Sequence, residues 1–161
     1  MSRSGYSEDS DDQWELIMYR GRVASAIRGK RGQAFLLEAL AALDAMPEKK
    51  LIAKSLKIED GAMCVLGAVG QRRGFDAEKM KHLDQQFEFG AQDYVASQFG
   101  IAEVMVREIV WENDDGSHDK WIMDENQKWC RLCETPEQRF ARVRSWIVSK
   151  VRPVPIADIV E

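Results

Sequence analysis

The chain has 161 residues, of which 45% are hydrophobic and 31% charged, with only four prolines. This composition is that of a globular protein, and it excludes collagen-like and wholly disordered chains; the length fits one domain. No apolar run approaches the ~18 residues that a membrane helix needs, and acidic residues rather than an apolar stretch follow the N-terminus, so we expect no membrane span and no secretion signal. Three cysteines in such a chain indicate free thiols in a cytoplasm.

The negative charge is concentrated near the N-terminus. The formal net charge is −4, from 23 basic and 27 acidic residues, and residues 1–15 carry five acids against one arginine, so the remainder is neutral. A neutral body has no overall field that attracts nucleic acid or anionic lipid. We expect residues 1–11 to be a disordered acidic tail, residues 12–150 a single globular domain, and residues 151–161 an extended C-terminal tail.

A local basic segment follows the acidic tail. No acid occurs between Glu15 and Glu38, and five cations fall in this gap: Arg20, Arg22, Arg28, Lys30 and Arg31. We add Arg72 and Arg73 as candidate neighbours in the fold. Guanidinium groups suit bidentate contacts with carboxylate or phosphate, so we predict that these seven residues bind a protein partner or phosphate. The alternative is a solvated helix end that pairs with the acidic tail.

The first two predicted elements form a helix hairpin. Apolar residues at helical spacing predict a helix from about Asp12 to Arg28, with Asp11 or Asp12 as its N-cap. Residues 29–32 contain two glycines and are expected to break it. A second helix is predicted from about Gln33 to Ala45, because Pro47 follows.

The next segment changes pattern and predicts a small β-hairpin. Residues 51–58 alternate in part, residues 59–61 are a turn signal, and residues 62–69 are an apolar run of strand length. A helix over either segment is the alternative, since a short apolar run is compatible with both a strand and a helix. Residues 67–74 are rich in glycine and could hold a phosphate, although an ordinary turn is the more usual reading. Asp76 is expected to cap a helix that reaches about Leu83.

Residues 95–110 resemble a helix-turn-helix. Ala96 allows close packing, Gly100 suits the left-handed turn, and apolar residues mark the buried face of the second helix. Base reading needs polar or basic side chains on the exposed face, and Glu103 and Glu108 would instead repel phosphates. The pattern therefore predicts packing more strongly than DNA binding.

The C-terminal part combines a strong helix start with a weak metal motif. Residues 113–129 are acidic and turn-rich, and Thr135 to Gln138 form a capping box that opens a helix to about Lys150. Cys130 and Cys133 could hold zinc only if two further ligands joined them. The candidates are His118, Cys64 and His82. These are distant in sequence, so we expect no metal and no other cofactor.

Several of these segments are similar to a family of small proteins encoded by phages and prophages. The matching stretches are residues 26–36, 43–53, 64–70, 99–102 continuing through 112–114, and 134–140, and the similarity covers most of residues 5–147. The resemblance implies an accessory protein at work in a bacterial host cytoplasm, and it implies no catalytic residue. Residues 116–133, with the two cysteines, lie in a stretch that varies in that family, which further weakens the zinc hypothesis.

These observations predict a mainly α-helical protein with a small β-hairpin, an α+β helical bundle that contains a helix-turn-helix-like pair. No catalytic set is evident, so we expect a non-enzymatic protein that binds a bacterial or phage protein, for example as an inhibitor of a bacterial defence complex. The alternatives are a helix-turn-helix DNA-binding regulator and a protein that binds or sequesters a nucleotide or phosphate. We expect no membrane partner, and the sequence sets no oligomeric state.

Overall fold

The computed structural model describes residues 12–116, 121–123, 125–131 and 134–153. The predicted acidic tail of residues 1–11 lies outside these ranges, as do His118, Cys133 and all but the first three residues of the predicted C-terminal tail. Within them the protein is mainly helical, as predicted. The helices are α1 (Gln13–Arg28), α2 (Lys30–Ala45), α3 (Val65–Arg72), α4 (Ala77–Glu88), α5 (Gln92–Phe99), α6 (Glu103–Asp114) and α7 (Pro136–Lys150).

The predicted helix starts are confirmed where a side chain caps the helix. The Asp12 carboxylate accepts hydrogen bonds from the Trp14 and Glu15 amides at the start of α1, and Asp76 caps α4. Thr135 and Gln138 form the reciprocal capping box of α7. The start of α2 was predicted three residues too late. Gly29 alone separates α1 from α2, and α2 already begins at Lys30.

The predicted hairpin over residues 51–69 is wrong. Its first half is an irregular segment with one isolated bridge between Lys57 and Met63, and most of its second half is α3. A few backbone hydrogen bonds join the two halves, such as that from the Cys64 amide to the Leu56 carbonyl at 3.0 Å, and side chains of other helices satisfy further backbone groups. The Asp84 carboxylate accepts the Leu56 amide at 2.9 and 3.0 Å, and Asn113 donates to the Ile52 carbonyl at 2.8 Å.

The only strands in the described residues lie elsewhere. Trp121–Met123 (β1) and Trp129–Arg131 (β2) pair antiparallel, with Ile122 opposite Cys130. This pair falls in and just after the segment that the sequence marked as acidic and turn-rich.

One hydrophobic core runs through all seven described helices. Every residue from Val65 to Gly70 is buried, so α3 lies inside the bundle. Gly67 lets α3 approach the preceding segment, since a Cβ there would overlap the Leu56 carbonyl oxygen. The helix α6 packs against α1, α3, α5 and α7. The core therefore fixes α6 beside the junction of α1 and α2, where the candidate site lies.

Candidate binding site

Three of the seven predicted cations converge on one cavity. Arg22 of α1 and Lys30 and Arg31 of α2 line an open cavity of about 490 Å³ between the α1–α2 junction and the start of α6. Its other lining residues are small or apolar and include no acid: Ser25, Ala26, Gly29, Gly32, Ala102, Val104 and Met105. We call this site the cationic cavity. Its three cations are exposed, whereas Gly32 and Met105 are buried beneath them.

Close helix packing fixes the shape of the cationic cavity. A Cβ at Gly32 would overlap the Ala26 carbonyl oxygen, so only glycine allows α2 to turn back directly against α1. Gln33 holds the junction from the other side. Its amide nitrogen donates to the Ile27 and Lys150 carbonyls at 2.8 and 3.0 Å, and its amide oxygen accepts the Arg152 amide at 2.7 Å. The cations therefore stand on a backbone tied to both α1 and the end of α7.

The N-terminus of α2 adds to the positive potential of the cationic cavity, whereas Glu103 in the first turn of α6 offsets the dipole of that helix. The N-cap residues are Gly29 for α2 and Ala102 for α6, and neither gives a side-chain hydrogen bond to the first turn. The first turn of α2 contains no acid and carries Lys30 and Arg31. A helix dipole favours acids at this end, so these two cations stand where the fold alone disfavours them.

The other four predicted cations do not reach the cationic cavity. Arg28 is exposed in the last turn of α1, where a cation suits the helix dipole. Arg20 lies close enough to Glu108 for its charge to act on that carboxylate. Arg72 donates to the Ala41 carbonyl at 3.4 Å, in the second half of α2.

Arg73 is a structural residue. Its guanidinium donates to both Glu38 carboxylate oxygens, at 2.7 and 2.6 Å, and to the Phe99 carbonyl at 3.0 Å. These hydrogen bonds hold the pKa of Glu38 below its usual value. Glu38 lies seven residues beyond Arg31, about 10 Å along α2 at 1.5 Å per residue. Arg72 and Arg73 are therefore not among the residues that line the cationic cavity.

The helix-turn-helix-like pair is present, but its second helix is covered. Gly100 adopts the left-handed conformation between α5 and α6, with φ of 70°, as its position predicted. The Arg107 guanidinium lies 5.4 Å from the centre of the Tyr19 ring of α1 and 3.8 Å from the Glu103 carboxylate. Thus α1 occupies the side of α6 that a DNA groove would need.

The structure does not bring the candidate zinc ligands together among the residues it describes. Cys64 is buried at the start of α3, whereas His82 is exposed on α4 with its ring against Tyr94 at 5.8 Å. No group of three or more ligating side chains occurs in the described ranges. Cys130 lies on β2, and its side chain, like Cys133 and His118, is not among the parts described.

Sequence reasoning missed a buried acidic cluster on α6. Burial raises the pKa of Glu112 to about 7, with a further rise from Glu108 one turn earlier, and burial also raises the pKa of Glu108. The nearest cation, Arg142, lies 3.7 Å from Glu112 but donates to both Glu134 oxygens at 2.6 and 3.1 Å. The sequence grouped Glu112 with an exposed acidic run. Its helical spacing from buried Met105 and Ile109, seven and three residues earlier on α6, was the available signal.

The chain matches no known protein family, no curated protein and no solved structure. In the described ranges no helix combines the length and the apolar character needed to cross a membrane.

Proposed function

We propose that this chain is a non-enzymatic accessory protein of phage or prophage origin that acts by binding a bacterial or phage protein. An acidic segment of that partner docks in the cationic cavity. Inhibition of a bacterial defence complex is the form of binding to test first. The proposal rests on one observation, the convergence of Arg22, Lys30 and Arg31 on a cavity whose lining contains no acid.

The size and lining of the cavity suit an acidic side chain with its flanking backbone. A volume of about 490 Å³ lies within the usual range of ligand sites. The apolar floor at Met105 excludes water beneath the bound group, which strengthens a charge pair above it. Arg22 and Arg31 can each grip a carboxylate with two parallel hydrogen bonds. A glutamate or aspartate of the partner, seated between them, satisfies all of these features.

The placement of Lys30 and Arg31 also supports a binding role. Cations in the first turn of a helix cost stability, typically ~0.3–1 kcal/mol each. Replacing both with glutamate should therefore stabilise the isolated protein while it weakens partner binding. If Lys30 and Arg31 were only part of a solvated helix end, the same replacement would stabilise the protein and leave partner binding unchanged.

The surroundings favour a protein partner over the two alternatives. A recognition helix must enter the major groove, and α1 packs on α6 where it would have to do so. The phosphate alternative used Arg28 to Arg31 together with Arg72 and Arg73. The last two lie at the end of α3, where they bond to residues of α2 and α5 and do not line the cationic cavity. No observation on the described residues favours DNA binding or phosphate binding over protein binding.

The test is comparative capture from a bacterial lysate, read by mass spectrometry. Three baits are compared: the natural chain, Lys30→Glu with Arg31→Glu, and a control with Lys54→Glu and Lys81→Glu. The control changes net charge equally at two exposed lysines outside the cationic cavity. We expect a protein held by the natural chain and the control but not by the cavity variant. Equal capture by all three would place the interface elsewhere.

A further inference from the structure

The outward face of α1 carries an apolar stripe that nothing in the described structure covers. Trp14, Ile17 and Met18 are 67%, 58% and 51% exposed. The opposite face of α1 supplies Tyr19, Val23 and Ile27 to the core. Large side chains exposed side by side make a patch on the order of 300 Å², the size at which apolar patches on monomers are often functional.

The stripe is large at one end and small at the other. Gly21 lies one turn beyond Ile17, and a Cβ there would meet no atom within 4 Å. The exposed Ser25 continues the same face one turn later. If a second α1 lies antiparallel on the first, the Trp14 ring of each copy meets the small end of the other. This arrangement lets large side chains fill the space that small ones leave, as helix packing requires.

The charges beside the stripe select the same arrangement. Glu15 and Arg22 lie seven residues apart, so they flank the stripe on the same side. In an antiparallel pair related by a two-fold axis, Glu15 of each copy faces Arg22 of the other. A parallel pair would instead set Glu15 against Glu15 and Arg22 against Arg22. The charge pattern of α1 is therefore complementary to itself in one orientation only.

We propose that two copies of this chain associate through α1, antiparallel, with Trp14, Ile17 and Met18 at the centre and Glu15–Arg22 pairs on the flanks. The patch is small compared with a standard interface, so the dimer is weak and dissociates on dilution. This inference does not depend on the proposed function. Arg22 also lines the cationic cavity, so the tests measure mass rather than partner affinity.

Sedimentation equilibrium provides the first test. The mean mass of the natural chain should rise from that of one chain at ~1 μM toward that of two at ~500 μM. Trp14→Ser with Met18→Ser should remain a monomer throughout. A control with Phe89→Ser and Val148→Ser, which removes exposed apolar side chains from α7 and from the segment after α4, should dimerise like the natural chain. A natural chain that stays monomeric, or a control that loses the dimer equally, would overturn the proposal.

A charge exchange tests the orientation. Glu15→Arg alone and Arg22→Glu alone should each weaken the dimer by about 10-fold. The two-fold axis places two Glu15–Arg22 pairs in each dimer, and either substitution removes both pairs. An equimolar mixture of the two variants should regain the natural mean mass, because each then faces its opposite charge. A parallel pair already sets like charges together in the natural chain, so single variants that dimerise as the natural chain does would refute the antiparallel orientation. A mixture no more associated than its components would refute the Glu15–Arg22 pairs.

Discussion

Removing the charge of one buried carboxylate should stabilise the protein above pH 7. The Glu112 side chain is only 16% exposed, and burial, with help from Glu108, raises its pKa from 4.5 to about 7. Arg142 compensates it only in part, because that guanidinium is held by two shorter hydrogen bonds to Glu134. The folded protein therefore carries a poorly compensated negative charge at neutral and alkaline pH.

The size of the effect follows from the shift. Between pH 4.5 and 7 the folded state holds the Glu112 proton and the unfolded chain releases it, so the free energy of unfolding falls as pH rises through this window. The rise of the Glu112 pKa from 4.5 to about 7 corresponds to about 3 kcal/mol of stability, lost in full above pH 7. Glu112→Gln keeps the size and removes the charge. Allowing for relaxation, it should gain about 2 kcal/mol at pH 8, or about 4–8 °C in Tm.

Urea unfolding at pH 5 and pH 8 measures this effect. The gain from Glu112→Gln should be about 2 kcal/mol at pH 8 and below about 1 kcal/mol at pH 5, where the folded Glu112 is already neutral. The matched control is Glu134→Gln, which should destabilise at pH 8, since the Glu134 side chain is 9% exposed, accepts hydrogen bonds from Arg142 and forms an ion pair with Arg139. An equal gain at both pH values, or a loss at pH 8, would refute the reasoning.

Two further predictions concern packing and the Arg73 contacts. Gly32→Ala should destabilise by about 2 kcal/mol or more in thermal unfolding, since its Cβ would overlap the Ala26 carbonyl. Gly21→Ala, at an open helix position, should instead gain ~0.5–1 kcal/mol; equal effects at both glycines would contradict the close approach of α1 and α2. Arg73→Met should cost about 2 kcal/mol, because it leaves Glu38 and a backbone carbonyl without their donor. A cost near zero in urea unfolding would show that these hydrogen bonds add nothing.

Local signals in the sequence predicted much of the helical framework. Asp12, Asp76 and Thr135 cap helices where their side chains predicted it, because a cap depends on residues within one turn. Gly100 likewise takes the left-handed turn that its spacing indicated. Lys30 and Arg31 were predicted in the turn over residues 29–32, but they lie in the first turn of α2.

The remaining structure depends on contacts that sequence spacing does not encode. The segment before α3 is irregular because Asp84 and Asn113, which lie 28 and 61 residues away from their backbone partners, satisfy its polar groups. Arg73 does not line the cationic cavity because it pairs with Glu38, which is 35 residues away in the sequence. The cationic cavity itself forms only when α6 packs beside the α1–α2 junction. The contribution of Met105 to its floor therefore could not be predicted from the sequence around Lys30 and Arg31.

Isothermal titration of a captured partner with three forms of the chain shows whether the cationic cavity binds it. We expect Lys30→Glu with Arg31→Glu to bind about 100-fold more weakly than the natural chain, since two desolvated charge contacts are reversed. The Lys54→Glu, Lys81→Glu control should bind as the natural chain does. The cavity variant should also melt no lower than the natural chain, since its new acids suit the first turn of α2. Unchanged affinity in the cavity variant, or an equal loss in the control, would contradict the assignment of the cationic cavity as the partner site.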